Sequence, residues 1–463
     1  MTDSRIEKDA LGEIKLPSDA LWGSSTQRAV ENFPISGKKL PRQFIWALCL
    51  IKAKAAQANA SLGLIDDDLA RVIADAANDA AEGTYDAQFP LDVFQTGSAT
   101  STNMNANEVI ANLANAALGR AIGEYSPIHP NDHVNRCQSS NDVIPAAIHL
   151  AAASEIDRAL IPALEQLRAS LASKARAFDR VLKTGRTHLM DAMPVRLGQE
   201  FAGFARQIEK AIERMRRLLP PLCELALGGT AVGTGFGAHR EFASEVCTLL
   251  SEELGLDLRP AKDRFEALSS RSTCVEAMGS LKATATSMMR IADDLRLMAS
   301  GPRLGLGEIM LPAVQPGSSI MPGKVNPVIP EMVIQVGAQV IANDCAVAIG
   351  AQAGHLELNT MLPLIAVNFL ESIEILANAA RVFANRCIAG IEACEERCTR
   401  DMEQSLALAT ALAPKLGYAA AAEIAKEASR SGRTIREVAL EKGAATESEL
   451  DELLDVWKLT RND

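Results

Sequence analysis

Gly317-Ser318-Ser319-Ile320-Met321-Pro322-Gly323-Lys324-Val325-Asn326-Pro327 sets a hydroxyl, a fixed cation and an amide around a loop bounded by two glycines. Gly317 and Gly323 lift the Cβ restriction on either side of the serines. The stretch can therefore close over a ligand and turn successive backbone N–H groups toward negative charge. Asn326-Pro327 reads as a helix start, with Asn as N-cap and Pro at the first helical position, where its missing N–H costs nothing. A helix N-terminus beside Lys324 favours a carboxylate or a phosphate. The helix that follows, over residues 327–352, is nearly uncharged after its first turn. That pattern predicts burial on most sides, between subunits rather than in one chain's own core.

Working outward, four more runs carry apolar residues at helical period: 142–177, 198–219, 274–300 and 364–393. Five helices of this length exceed the ordinary globular mean and predict a mainly all-α protein with a long five-helix central bundle. Residues 43–62 and 67–82 read as earlier helices. The first forty residues read as an irregular arm, and 107–118 as a helix preceded by a polar loop. The expected division is an N-terminal domain over 1–140, the long-helix bundle over 141–393 and a small C-terminal helical domain over 394–463.

Composition narrows the function classes. The chain of 463 residues is 48% hydrophobic but only 4% aromatic, so Ala, Leu, Ile, Val and Met carry its core. A formal net charge of −11 excludes a general basic face for nucleic acid. The same charge means that an anion site must rely on a few local donors. Nine cysteines lack CxxC pairing and a neighbouring histidine set, so they read as reduced, packed thiols and no metal ligands are expected. Runs such as 146–153 are too short to span a bilayer, and the first residues lack the pattern of a signal peptide; a cytoplasmic location is the expectation.

Polar islands interrupt the long helices, each at an expected helix start. They are Thr96 to Asn105, His129 to Asp142, Thr184 to Pro194, and the opening loop extended to Glu331. Hydroxyls and amides in quantity, one lysine and few carboxylates describe a pocket for a small polyanion held by many hydrogen bonds. Glu331 places a carboxylate near that site, and a histidine beside such a carboxylate can take a proton from water.

The segments TGSATSTNMNANE, HPNDHVNRCQSSND, GRTHLMDAMPVRLGQEF, LALGGTAVGTG, ASGPRLGLGEI and GSSIMPGKVNP resemble class II fumarases of the fumarase/aspartase superfamily. The resemblance implies a homotetramer around a twenty-helix core, five helices from each subunit, with each active site shared by three chains. It implies reversible anti hydration of fumarate to L-malate, a step of the tricarboxylic acid cycle, without cofactor or metal. Ser318, His188, Glu331 and Lys324 match the catalytic residues. Ser98, Thr100, Ser139, Ser140, Asn141, Thr187, Ser319, Lys324 and Asn326 match those that hold substrate. His129, Asn131 and Asp132 match a second dicarboxylate position, although Ser126 and Pro127 stand where the family often has a basic residue. Aspartate ammonia-lyase, or a lyase acting on a fumarate derivative, is the alternative. His188, Thr96-Gly97-Ser98 and Ser140 favour fumarase, whereas Gly235-Phe236-Gly237, where fumarases commonly read GLN, bears on substrate range.

Overall fold

The computed structural model describes residues 4–460, so the ends of the expected 1–140 and 394–463 domains lie outside the described residues. The protein is mainly α, as expected, with short two-stranded ribbons between the helices. Long helices occupy Leu197–Leu222, Ser272–Met298, Val328–Gln352 and Leu362–Arg386. A fifth runs from Ser140–Glu155 through a π-helical stretch, Ile156–Leu160, into Ile161–Ala177. The last run ends at Arg386 rather than near 393, because Ile388–Gly390 tightens into a 3₁₀ turn and Glu392–Ala393 pairs with Ile309–Met310.

The chain forms two compact units. The first comprises Met1–Pro162, Ile212–Ala285 and Val336–Asn378. Within it the helix Arg42–Ser61 packs on Asp67–Ala81, on Ser140–Glu155 and on Phe242–Leu254. Phe44, Leu48, Ile51 and Ala55 are fully buried there. The expected irregular arm is instead ordered: Ser4–Asp9 and Gly12–Pro17 form an antiparallel hairpin, and Ser24–Asn32 is a helix. The arm is tied down by carboxylates. Glu108 accepts hydrogen bonds from the backbone N–H groups of Gly23, Ser25 and Thr26, and the Arg5 guanidinium bridges Glu7 to the carbonyls of Ala20 and Trp22. These partners lie far apart in sequence, which hid the order from local reading.

The second unit comprises Ala163–Ala211, Thr286–Gln335 and Ala379–Asp463. It carries the hairpin Leu182–Thr187 and Met190–Arg196 and a set of short C-terminal helices. Their core is built from Leu412, Ile424, Ile435, Val438, Leu450 and neighbours. Two of those helices, Ile435–Glu441 and Glu447–Leu453, begin with full capping boxes at Thr434 and Thr446.

Two helices, Val328–Gln352 and Leu362–Gly390, are long and apolar enough to cross a membrane by length and composition. Their polar groups speak against that reading. Within the first unit the buried Asn343 donates to Glu371 and to Ser372, and Asp344 pairs with Lys282. Only 28% of the most apolar window of Val328–Gln352 is covered by the chain's own atoms. Ile341 and Ile349 stay 39% and 53% exposed on one face of it. The sequence predicted a helix buried on most sides; in the single chain much of it is bare.

Candidate active site

In the first unit the Thr96–Asn105 island is not a loop before a helix. The helix starts at Thr100, and Thr102, Asn103 and Asn105 are buried inside it. Small polar residues enter this core because each finds a partner. Thr102 donates its hydroxyl to Gln95 at 2.8 Å, and Asn105 donates to the Gln88 carbonyl at 2.9 Å. Gly97 is required: a Cβ there would sit 1.9 Å from the Thr360 carbonyl oxygen. The Ser98 and Thr100 hydroxyls lie 2.9 Å apart at the helix start.

Ser139 caps the helix Ser140–Glu155 through a capping box with Asp142. Asp142 is fully buried and accepts from the N–H groups of Ser139, Thr230 and Gly228 at 2.9, 2.9 and 3.1 Å. Burial nonetheless pushes its carboxyl up to about 6. Asn141 donates to the Ala231 carbonyl at 2.7 Å, so the glycine-rich segment 228–237 lies over the serines. Phe236, the departure from the common pattern, is 89% exposed in that segment.

The two islands meet. Asn103 donates to the Ser140 hydroxyl at 3.0 Å and to the Asn135 side-chain oxygen at 3.2 Å. That oxygen also accepts from Lys52 at 2.9 Å. Lys52 is fully buried, and burial brings its ammonium down to about 7. Sequence reading passed over Lys52, Asn103 and Asn135. The available signal was a lone lysine inside the apolar run Phe44 to Lys52.

His129 is spent locally. Its Nδ1 accepts from the N–H groups of Asn131 and Asp132 at 3.3 and 3.4 Å and so caps the π turn Pro130–Val134. Asn131 and Asp132 are exposed on that turn.

In the second unit the Thr184–Pro194 island is a hairpin rather than a helix start. Gly185 sits at a bulge between Thr184 and Arg186, and a Cβ on it would meet the Met193 carbonyl at 2.5 Å. Thr187 pairs with Met190, leaving a two-residue turn of His188 and Leu189 at φ 56° and 63°. Two positive φ values in a two-residue loop continue the right-handed twist of the strands. They leave His188 at the exposed tip, without a side-chain hydrogen bond among the described residues. The hairpin is anchored from within. Lys183, 3% exposed, pairs with Glu200 at 2.9 Å and with Glu308 at 2.8 Å, and Glu308 also pairs with Arg186. A cavity of about 460 Å³ borders these residues and reaches His188.

The serine loop surrounds a second cavity, of about 470 Å³, lined by Gly317, Ser318, Gly323 and Lys324. Ser318 Oγ accepts from the N–H of Met321 at 3.0 Å. Gly317 N–H donates to the Lys324 carbonyl at 2.9 Å, and Ser319 and Lys324 are exposed. Asn326 does not cap the helix as expected. The helix begins at Val328, and the Asn326 amide donates to the Gly317 carbonyl at 2.6 Å, closing the loop. Glu331 lies in the first helical turn, and no hydrogen bond or ion pair joins it to His188 among the described residues. Among those residues no group of three His, Cys, Asp or Glu side chains is placed to hold a metal ion.

Residues 12–342 match the family described as Lyase, and residues 408–461 match the one described as Fumarase C C-terminus. The chain is 54% identical to the class II fumarate hydratase of Halobacterium salinarum, covering 99% of this chain and 97% of that one. With the class II fumarate hydratase of Mycobacterium tuberculosis it shares 52% identity over 99% and 96% of the two chains. Among solved structures, the class II fumarase of Schistosoma mansoni superposes with a TM-score of 0.94 at 37% identity, over 98% of each chain. The Brucella melitensis protein described as fumarate lyase:delta crystallin, bound to cobalt, superposes with a TM-score of 0.95 at 46% identity, over 99% and 100%.

Proposed function

The chain belongs to the class II fumarase family of lyases, and we propose that it is a fumarate hydratase interconverting fumarate and L-malate. The observation that carries the reading is the serine loop, where one cavity is lined by Ser318, Lys324 and the glycines that free the backbone.

The chemistry asks for that arrangement. Removing the C3 proton of malate leaves an electron pair that moves into the neighbouring carboxylate, giving an aci-carboxylate with two negative charges on one group. Lys324 and the loop N–H groups would stabilise the charge as it develops. Ser318 takes the proton as its oxyanion, a form available only where positive surroundings stabilise it. The C2 hydroxide leaves as water with a proton from the His188 imidazolium, which Glu331 supports and which becomes neutral imidazole. Ser98, Thr100, Ser139, Ser140, Asn141, Thr187, Ser319 and Asn326 hold the carboxylates. His129, Asn131 and Asp132 would form a weaker second dicarboxylate position. The capping use of His129 Nδ1 leaves Nε2 as its outward donor.

The same reading makes the protein a homotetramer. The bare apolar face around Ile341 and Ile349 supports another copy as its cover. Within one chain no hydrogen bond or ion pair joins His188 and Glu331 among the described residues, so in that assembly they would meet from different chains. The division into 1–140, 141–393 and 394–463 belongs to this reading too, supported by the separate C-terminal core between Leu408 and Leu454.

The test is fumarate absorbance in the ultraviolet, with chelator-treated protein offered L-malate and L-aspartate in separate cuvettes. Rapid fumarate formation from malate alone is expected. Formation from aspartate alone would replace the reading with aspartate ammonia-lyase, and silence with both would point to the Phe236-Gly237 segment and a different fumarate derivative.

A further inference from the structure

Three buried side chains, Lys52, Asn103 and Ser140, from three helices meet the half-buried Asn135 of one turn, and Lys52 and Asn103 both donate to its side-chain oxygen. Lys52 Nζ is a donor toward Asn135 Oδ1 at 2.9 Å, and Asn135 turns its own amide nitrogen to the Gln138 carbonyl at 3.1 Å. With Asn135 Oδ1 facing inward, the only atom Asn103 can present to it is Nδ2, at 3.2 Å. The same Nδ2 reaches the Ser140 hydroxyl oxygen at 3.0 Å. Turning the Asn103 amide over would set its oxygen against Asn135 Oδ1, two acceptors in contact. The structure instead leaves Asn103 Oδ1 buried without a partner among the described residues. A group that gives up one hydrogen bond to keep its orientation is being held by its neighbours, and the first of these is a lysine 0% exposed in an apolar helix. The effect falls on Ser140. Asn103 donates to one of its two lone pairs, so its O–H proton cannot turn toward Asn103 and points elsewhere.

We propose that Lys52, Asn135 and Asn103 form a hydrogen-bond wire of fixed polarity, in which Asn135 locks the Asn103 amide so that the Ser140 hydroxyl is turned to donation toward a substrate carboxylate. They are positioning residues: none reaches substrate, and each acts through Ser140. The inference rests on the reading of Ser140 as a carboxylate-binding residue. Without the wire, Ser140 can rotate and accept as readily as it donates, so an anion would lose a prepared donor. Because both substrate carboxylates persist through the reaction, the loss falls on binding and raises KM more than it lowers kcat.

The test is a double-mutant cycle in steady-state malate kinetics with Ser140→Ala, Asn103→Ala and the pair, each checked by gel filtration and thermal melting. Ser140→Ala is expected to raise KM about tenfold, the loss of one good charge-assisted hydrogen bond. Asn103→Ala is expected to raise it by a similar factor alone and by less than about twofold in the Ser140→Ala background. Lys52→Met keeps a long apolar side chain in the same space and removes the donor. It is expected to raise KM several-fold, again only while Ser140 is present. An Asn103→Ala effect of equal size in both backgrounds, or one confined to kcat, would overturn the wire. An unchanged KM in Ser140→Ala would instead remove Ser140 from substrate binding, and the wire with it, whereas wild-type inactivity on malate would mark failure of the hydratase reading. Should Asn103→Ala not fold, the cycle of Lys52→Met with Ser140→Ala decides by the same criterion.

Discussion

The Asn326 side-chain amide donates to the Gly317 carbonyl at 2.6 Å across nine residues, and the Gly317 N–H donates back to the Lys324 carbonyl at 2.9 Å. The serine loop is thus tied at its base while its tip stays exposed. Asn326→Asp would set an acceptor against the Gly317 carbonyl and open that base. It is expected to lower kcat/KM for malate by at least about 10²-fold, the scale on which misplacement of a reacting group acts. Faster amide exchange over 317–324 should accompany it; unchanged exchange with unchanged kinetics would deny the tie its role.

Ser318→Ala and His188→Asn separate the two proton transfers. Each is expected to leave oligomeric state and melting temperature unaltered, because both side chains lie on segments that contribute little to a core. Each should cost about 10²–10⁴-fold in kcat, the usual worth of a placed acid or base. Near-normal turnover in either would remove that residue from the mechanism.

The hairpin that carries His188 rests on Lys183 and Glu308, both 3% exposed and 2.8 Å apart. Neutralising Glu308 leaves Lys183 with Glu200 alone and takes from Arg186 its carboxylate, in a poorly solvating interior. Glu308→Gln is expected to destabilise the protein by about 3–5 kcal/mol, read as a lower urea midpoint. Lys183→Met with Glu308→Leu, which removes both charges, should recover most of that loss if the pair's cost is desolvation.

Asp142 gives a pH dependence with a defined sign. Its folded pKa is raised to about 6 from 3.8 because burial disfavours the carboxylate, against three N–H donors and Lys52 that favour it. A raised folded pKa contributes stability that is complete below pH 3.8 and is lost as pH rises through 6. The upper bound is about 3 kcal/mol, since each tenfold change in proton affinity is worth about 1.4 kcal/mol. The difference in urea midpoint between wild type and Asp142→Asn should therefore change across about pH 4 to 6 and be flat above about 7. Parallel curves would show that Asp142 titrates as it does in the unfolded chain.

Glutamates at Ile341 and Ile349 test the bare helix face. Both side chains are well exposed in the single chain, so charges there disturb little of its own packing. The double variant is expected to sediment as smaller species and, on the proposed tetramer with sites shared between chains, to lose activity. An intact, active tetramer would move the interface elsewhere.

The linear order of residues was enough for what depends on near neighbours and on composition. The five long helices follow from apolar residues at helical period, and the serine loop from its glycines. The islands bearing Ser98, Ser139, His188 and Ser318 stand out because so many small polar groups interrupt apolar runs. What the sequence could not decide were the contacts that close over distance. A polar stretch from Thr100 to Asn105 reads as loop until Gln88, Gln95, Asn135 and Ser140 are seen to satisfy it inside a helix. His188 reads as a helix start until Gly185 and the pairing of Thr187 with Met190 turn the strand back on itself. The reason is the same in each case: a buried polar side chain depends on partners for most of its stability, and those partners are chosen by the folded chain, not by the spacing along it.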